Sequence, residues 1–228
     1  MIRLNRYVAS ATKYSRRQAE GFIKRGDIAI NGKIIKDLAT KVNHNDQVTL
    51  RGQILTPLHK VYYILNKPAG YVCTLEKKQS EKRVVDLVPS NPPVFTVGRL
   101  DKETKGLLIL TNDGDFAQHI THPSNKKEKE YLVKLNKELS SHDQYILLKG
   151  IKVDNKLMKF DKLLLDETNT YRVVLHQGYN RQIRKMFDQI GYQVLDLIRV
   201  RIGNFLLRDL PEGKFLKLNF SDIKKYFL

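Results

Sequence analysis

A chain of 228 residues, 41% of them hydrophobic, is long enough to bury a substantial core in one domain or two. Its 41 Lys and Arg against 24 Asp and Glu leave a formal charge of +17, which points to a polyanionic partner, nucleic acid before any other. No apolar run approaches the roughly 20 residues of a membrane-spanning helix, the N-terminus does not read as a signal peptide, and the single cysteine, Cys73, excludes an internal disulfide. A cytoplasmic protein without membrane association is therefore expected, and Cys73 reads as a core thiol.

In chain order, the first sixty residues hold twelve Lys or Arg and four acids, an excess of eight positive charges that suggests a separate module. Leu4, Val8 and Ala11 stand at helical spacing. Ser15 with Gln18 forms a capping box that starts a second helix, Ala19, Phe22 and Ile23 give it a buried stripe, and Gly26 stops it. Arg17, Gly21 and Lys24 lie along another face of that helix, which leaves a basic, uncluttered side. Asn31-Gly32 between apolar residues predicts a hairpin, and a strand near Val48 to Leu50 closes the unit. Weak periodicity and Pro57 make residues 52–60 a linker between a domain of 1–51 and one of 61–228.

From Val61 the pattern becomes one of short strands: Val61 to Leu65, Val94 to Val97, Leu107 to Leu110, Tyr131 to Leu135 and Tyr171 to Leu175. Helices are predicted at Asp115 to Ile120, at Ser141 to Lys149 before Gly150, and at Arg181 to Ile190 before Gly191, with Asn180 as cap of the last. Strands and helices without a βαβ rhythm predict an α+β fold, with a mixed, largely antiparallel sheet flanked by helices. Asp101 falls on a connection between two apolar strands, a good place for a working carboxylate, although an Asp there is more often a turn residue. Arg181, Arg184 and Lys185 crowd positive charge near a helix start, where anions are drawn. His119 and His122, with no third ligand in sight, make no metal site.

Two resemblances follow. Arg3-Leu4-Asn5, Ser15-Arg16-Arg17-Gln18-Ala19 and the run from Gly26 to Lys33 resemble the αL-type RNA-binding motif found in a ribosomal small-subunit protein, in tyrosyl-tRNA synthetases and in many RNA-modifying enzymes. That resemblance makes Arg3, Arg16, Arg17, Lys24, Arg25 and Lys33 candidate phosphate ligands, which set affinity and salt dependence rather than sequence choice. Arg99-Leu100-Asp101, Thr104-x-Gly106-Leu107-Leu108 and Thr111-Asn112-Asp113-Gly114 are similar to the catalytic signature of pseudouridine synthases that act on ribosomal RNA. The similarity extends to Leu65-Asn66-Lys67-Pro68-x-Gly70, Lys129-x-Tyr131-Leu132-Val133 and Gln182-Ile183-Arg184, and is best to the RsuA-type branch, which modifies small-subunit (16S) rRNA. Relatives in that branch act on large-subunit (23S) rRNA.

The second resemblance implies a cofactor-independent isomerisation of uridine to pseudouridine. Asp101 matches the catalytic aspartate, Arg184 the arginine that pairs with it, and Tyr131 the tyrosine that stacks on the target base with a part in moving protons. Ile183 matches the apolar residue against the base, Lys67 a motif lysine that supports the site, and Arg99 the arginine that helps expel the nucleotide from its stack. Lys105 stands where many relatives have a small residue. The expected partner is ribosomal RNA within a small-subunit assembly intermediate, bound by a monomer. The rival readings are the same reaction on large-subunit rRNA, and a non-catalytic rRNA-binding assembly factor.

Overall fold

The computed structural model describes residues 1–219 and 222–223. The chain divides into two compact units, Met1–Lys60 with Asn91–Pro93, and Val61–Ser90 with Val94 onward. The remaining residues of the expected 61–228 domain lie outside the described ones. No helix among the described residues is long and apolar enough to cross a membrane.

In the first unit, helices α1 (Leu4–Ala11) and α2 (Arg16–Arg25) pack Leu4, Val8, Ala19 and Ile23 against Ile28, Val42 and Val48. The capping box is present in both directions: the Gln18 amide donates to Ser15 Oγ at 3.3 Å, and the Ser15 amide donates to Gln18 Oε1 at 2.8 Å. Gly26 ends α2 at φ 78, donating its amide to Phe22 and Ile23 carbonyls. Replacing Ser15 with Ala removes the acceptor of the Gln18 amide, while the Ser15 amide keeps its bond to Gln18 Oε1, and should lower unfolding free energy by about 1 kcal/mol, read by urea denaturation. A four-stranded sheet follows in the order Lys33–Ile34, Ile28–Ile30, Val48–Leu50, Gln53–Ile54. Asn31 and Gly32 have φ of 50 and 82, as a two-residue hairpin turn requires.

The linker expectation fails over most of its length. Arg51 and Gly52, at φ 50 and 81, make a second tight turn, and Gln53–Ile54 pairs back onto Val48–Leu50. The Leu55 amide donates to Val48 O, Tyr7 Oη donates to Leu55 O, and the Leu58 amide donates to Ser10 O. Gly52 punctuates this stretch because the chain turns there, not because it is loose.

The second unit is built on one sheet whose strands run in the order Lys162–Glu167, Thr170–Leu175, Lys129–Leu135, Val194–Ile202, Lys105–Thr111, Tyr62–Lys67, Phe215–Leu218. All of these neighbours are antiparallel except Lys105–Thr111 with Val194–Ile202, so the fold is α+β on a mixed, largely antiparallel sheet. Both faces are covered. Tyr62 and Ile64 point with Leu107 and Ile109 to a core under helix α3 (Gly114–Thr121), while Tyr63 and Leu65 point with Leu108 and Leu110 to a larger core. Helices α4 (Ser141–Lys149) and α5 (Gln182–Gln189) seal that second core with Leu147, Ile183, Met186 and Phe187. Burial on both faces is why Tyr62 to Leu65 reads as an unbroken apolar run.

One edge of Lys105–Thr111 changes partner partway along. Residues 109–111 lie beside Phe95–Val97, whereas Lys105 and Gly106 lie beside Ile198 and Arg199. The connection carrying Asp101 leaves the sheet at this change of neighbour, where no strand continues the ladder.

Candidate active site

That connection opens into a cleft of about 670 Å³ within the second unit. Five of the six residues expected at the centre line it: Arg99, Asp101, Tyr131, Ile183 and Arg184. The sheet register explains how separate segments meet there. Tyr131 pairs with Arg199, Arg199 with Gly106, and Gly106 with Lys67, so four strands present one row of residues on one face.

Lys67 does not line the cleft, which corrects its place among substrate-binding residues. It is fully buried, and its ammonium donates to the carbonyls of Pro68 at 2.9 Å, Lys102 at 3.0 Å and Thr104 at 2.8 Å. All three protons are thereby spent on main chain, two of them on the residues that follow Asp101. Burial pushes this lysine below its ordinary range, opposed by the charges of Cys73, Glu103, Asp101 and Glu212. The Gly70 amide reaches the same Lys102 carbonyl at 2.8 Å, and the Thr104 amide closes a turn on Asp101 O at 3.1 Å. Lys67 fixes the loop that aims the carboxylate.

Asp101 is half-buried, and its carboxylate has neither a hydrogen bond nor an ion pair among the described residues. The expected direct pairing with Arg184 is not made. Arg184 Nη1 donates instead to Val194 O at 3.0 Å, which points the guanidinium along the strand Val194–Ile202. Burial, then the Arg181 charge, lowers the Arg184 pKa, and the charge of Asp101 acts on it in the opposite sense. The two groups interact through space rather than by a direct bond.

Helix α5 also differs from expectation at its start. Asn180 is not its cap: Arg181, at φ 52, occupies that position without a side-chain cap, and the Tyr179 amide donates to Gln182 Oε1 at 3.2 Å. This sharp turn faces Ile183 and Arg184 to the cleft. Lys105, the residue that departs from the usual small one, reaches out to Asp196 at 2.7 Å and stabilises the parallel pairing.

Sequence reasoning missed two cations. Lys129 donates to the carbonyls of His176 and Gln177, and burial, then the Arg199 charge, pushes its pKa down. Arg199 is 3% exposed and donates Nε–H to Leu107 O at 2.8 Å. Four enclosed polar atoms of cleft-lining residues have no partner among the described residues: Thr104 Oγ1, Gln177 Oε1, Arg184 Nε and Arg199 Nη2. Each such atom costs about 1–3 kcal/mol. Their concentration in one cleft is what a site awaiting a polar ligand would show.

In the first unit, Arg3, Arg16, Arg17, Lys24, Arg25 and Lys33 are all exposed. Arg25 is engaged internally, pairing with Asp27 at 3.1 Å and lying 5.0 Å over the Phe22 ring. The other five make no ion pair among the described residues, leaving their charge for an external anion. No group of three His, Cys, Asp or Glu side chains among the described residues is placed to hold a metal.

Residues 61–189 match the model of the RNA pseudouridylate synthase family, and residues 2–48 match that of the S4 domain. The chain is 34% identical over 238 residues to the ribosomal large subunit pseudouridine synthase B of Bacillus subtilis (strain 168), with 99% of this chain and 95% of that protein covered. It is 35% identical over 229 residues to the dual-specificity RNA pseudouridine synthase RluF of Escherichia coli (strain K12), with 99% and 78% covered. Among solved structures, one titled "Crystal structure of pseudouridylate synthase" aligns with a TM-score of 0.71 at 28% identity, over 99% of this chain and 100% of that one. With its cleft, its sheet and its basic N-terminal unit all falling within these matches, the chain belongs to the RNA pseudouridylate synthase family and carries an S4 domain at its N-terminal end.

Proposed function

We propose that the protein converts a uridine of large-subunit rRNA to pseudouridine, with Asp101 as the nucleophile. The observation that carries this reading is an unpartnered carboxylate on a clamped loop, in a cleft shared with Tyr131, Ile183, Arg184 and Arg199. A carboxylate suits the chemistry, because breaking and remaking a glycosidic bond is redox-neutral and needs a group that captures an electron-poor centre. In this reading Tyr131 stacks on the extruded base, Ile183 packs against it, Arg184 sets a positive charge near Asp101, Arg99 helps expel the nucleotide from its stack, and Lys67 positions the loop. The large-subunit target is supported by the name of the Bacillus relative, whereas the motifs alone pointed to the small-subunit branch.

The test uses large- and small-subunit rRNA transcripts tritiated at uridine carbon 5. Label should be released from the large-subunit transcript and not from the small. Release from the small-subunit transcript alone would return the target to that RNA, and release from neither would remove the reaction.

The five free cations of the S4 domain are proposed to bind RNA phosphates. Replacing Arg16 and Arg17 together with Ala should flatten log K against log salt by about 2, roughly one per lost phosphate contact. The modified uridine should stay the same, since phosphate contacts position the RNA without reading it. Filter binding across a salt series, followed by mapping of the product, checks both halves.

A further inference from the structure

Arg199 is a buried guanidinium whose position the reaction can use. Its main chain pairs with Tyr131 on one side and Gly106 on the other, so its side chain starts from the same face of the sheet as the Tyr131 ring. One of its nitrogens is fixed, Nε on Leu107 O, which anchors the plane of the guanidinium to the strand that follows the Asp101 connection. Nη2 is enclosed and has no partner among the described residues, although Arg199 lines the cleft. A structural arginine would have found an acceptor in so well-packed a place. The donor is held in reserve beside the tyrosine.

Resting on the function proposed above, we infer that Arg199 Nη2 donates a hydrogen bond to a carbonyl oxygen of the target uracil and stabilises the negative charge that the base acquires during the reaction. When the C1′–N1 bond breaks, its electron pair stays with the base and spreads over N1, O2 and O4. When C1′ rejoins at C5, the C5 proton leaves and N1 gains one, so the product is an isomer of the substrate. Attack of Asp101 on the base ring instead of the sugar would also load charge onto a carbonyl oxygen. A fixed guanidinium donor lowers the barrier on either route, because it is oriented before the charge appears. Cytosine has an amino group in place of O4, which a donor cannot satisfy, so a contact at O4 would also favour uridine over cytidine.

The experiment uses a stem-loop carrying the mapped target uridine, made with oxygen, with sulfur at position 2, or with sulfur at position 4. Sulfur is the weaker acceptor. Wild-type enzyme should lose about tenfold in single-turnover rate on one of the two sulfur substrates. Arg199→Gln should lose about 100-fold on the oxygen substrate, with RNA affinity within about threefold, and show no further loss on sulfur. A purely structural Arg199 would lower the melting temperature and leave the sulfur effect intact. Should the glutamine variant fail to fold, Arg199→Lys is read by the same sulfur comparison. A wild-type enzyme indifferent to sulfur at both positions, or a folded variant with an undiminished sulfur effect, would overturn the inference. A wild type that converts no rRNA uridine removes instead the function on which it rests, and that failure shows already in the tritium assay.

Discussion

Asp101→Asn should reduce isomerisation on the order of 10⁴-fold, the scale on which removing one member of a nucleophilic set acts. The amide is isosteric with the acid, so any loss reports on charge and nucleophilicity rather than on space. The structure gives an unusually clean expectation for everything else. The carboxylate has no hydrogen bond or ion pair among the described residues to lose, and the loop is held by Lys67 through main-chain carbonyls that the substitution leaves untouched. Stability should therefore stay within about 0.5 kcal/mol of wild type. RNA affinity should be unchanged or somewhat tighter, because a negative charge disappears from a cleft that Arg99, Lys129, Arg184 and Arg199 make cationic. Tritium release, filter binding and thermal unfolding of the same preparation separate the three quantities. A variant that keeps more than about a tenth of the wild-type rate would take the nucleophile's role from Asp101.

How much of this could be read from the sequence depends on whether the information was local. The capping box of Ser15 and Gln18, the Gly26 stop and the Asn31-Gly32 turn are decided within a few residues, and each forms as expected. The strand Val194–Ile202 went unseen, although it lies mid-sheet. Asp196, Arg199 and Arg201 interrupt its apolar pattern, and those charges are tolerated because Lys105, Leu107 O and Glu130 lie opposite them. Such partners are remote in the chain and invisible to a scan along it. Missing the strand meant missing Arg199. The same limit explains Lys67, whose segment was legible while its occupation by three carbonyls was not. It explains Arg184 too, whose type and place were evident before its bond to Val194 O was. A linear motif names residues that must be near one another. It does not say which of them touch.

Gly106→Ala should be the most damaging glycine-to-alanine change among the described residues. Two costs add. The residue sits at φ +103, a conformation L side chains rarely adopt, and an added Cβ would stand 2.3 Å from Arg199 O and 2.7 Å from Arg199 N. Both neighbours are main chain of the adjoining strand, so no rotamer can relieve the clash, and the parallel pairing of Gly106 with Arg199 must open. Gly191 supplies the control, because its φ of +78 is also left-handed and nothing lies within 4 Å of its would-be Cβ. Gly191→Ala should cost about 1 kcal/mol, the backbone term alone, or roughly 3 °C in melting temperature. Gly106→Ala should exceed about 4 kcal/mol, or roughly 10 °C, with the excess measuring the collision. Activity should fall further than the folded fraction explains, since the same opening moves Arg199 away from Leu107 O and loosens the strand that follows Asp101. If the two alanine variants melt within about 2 °C of each other, the close approach at Gly106 is not what joins the two halves of the site.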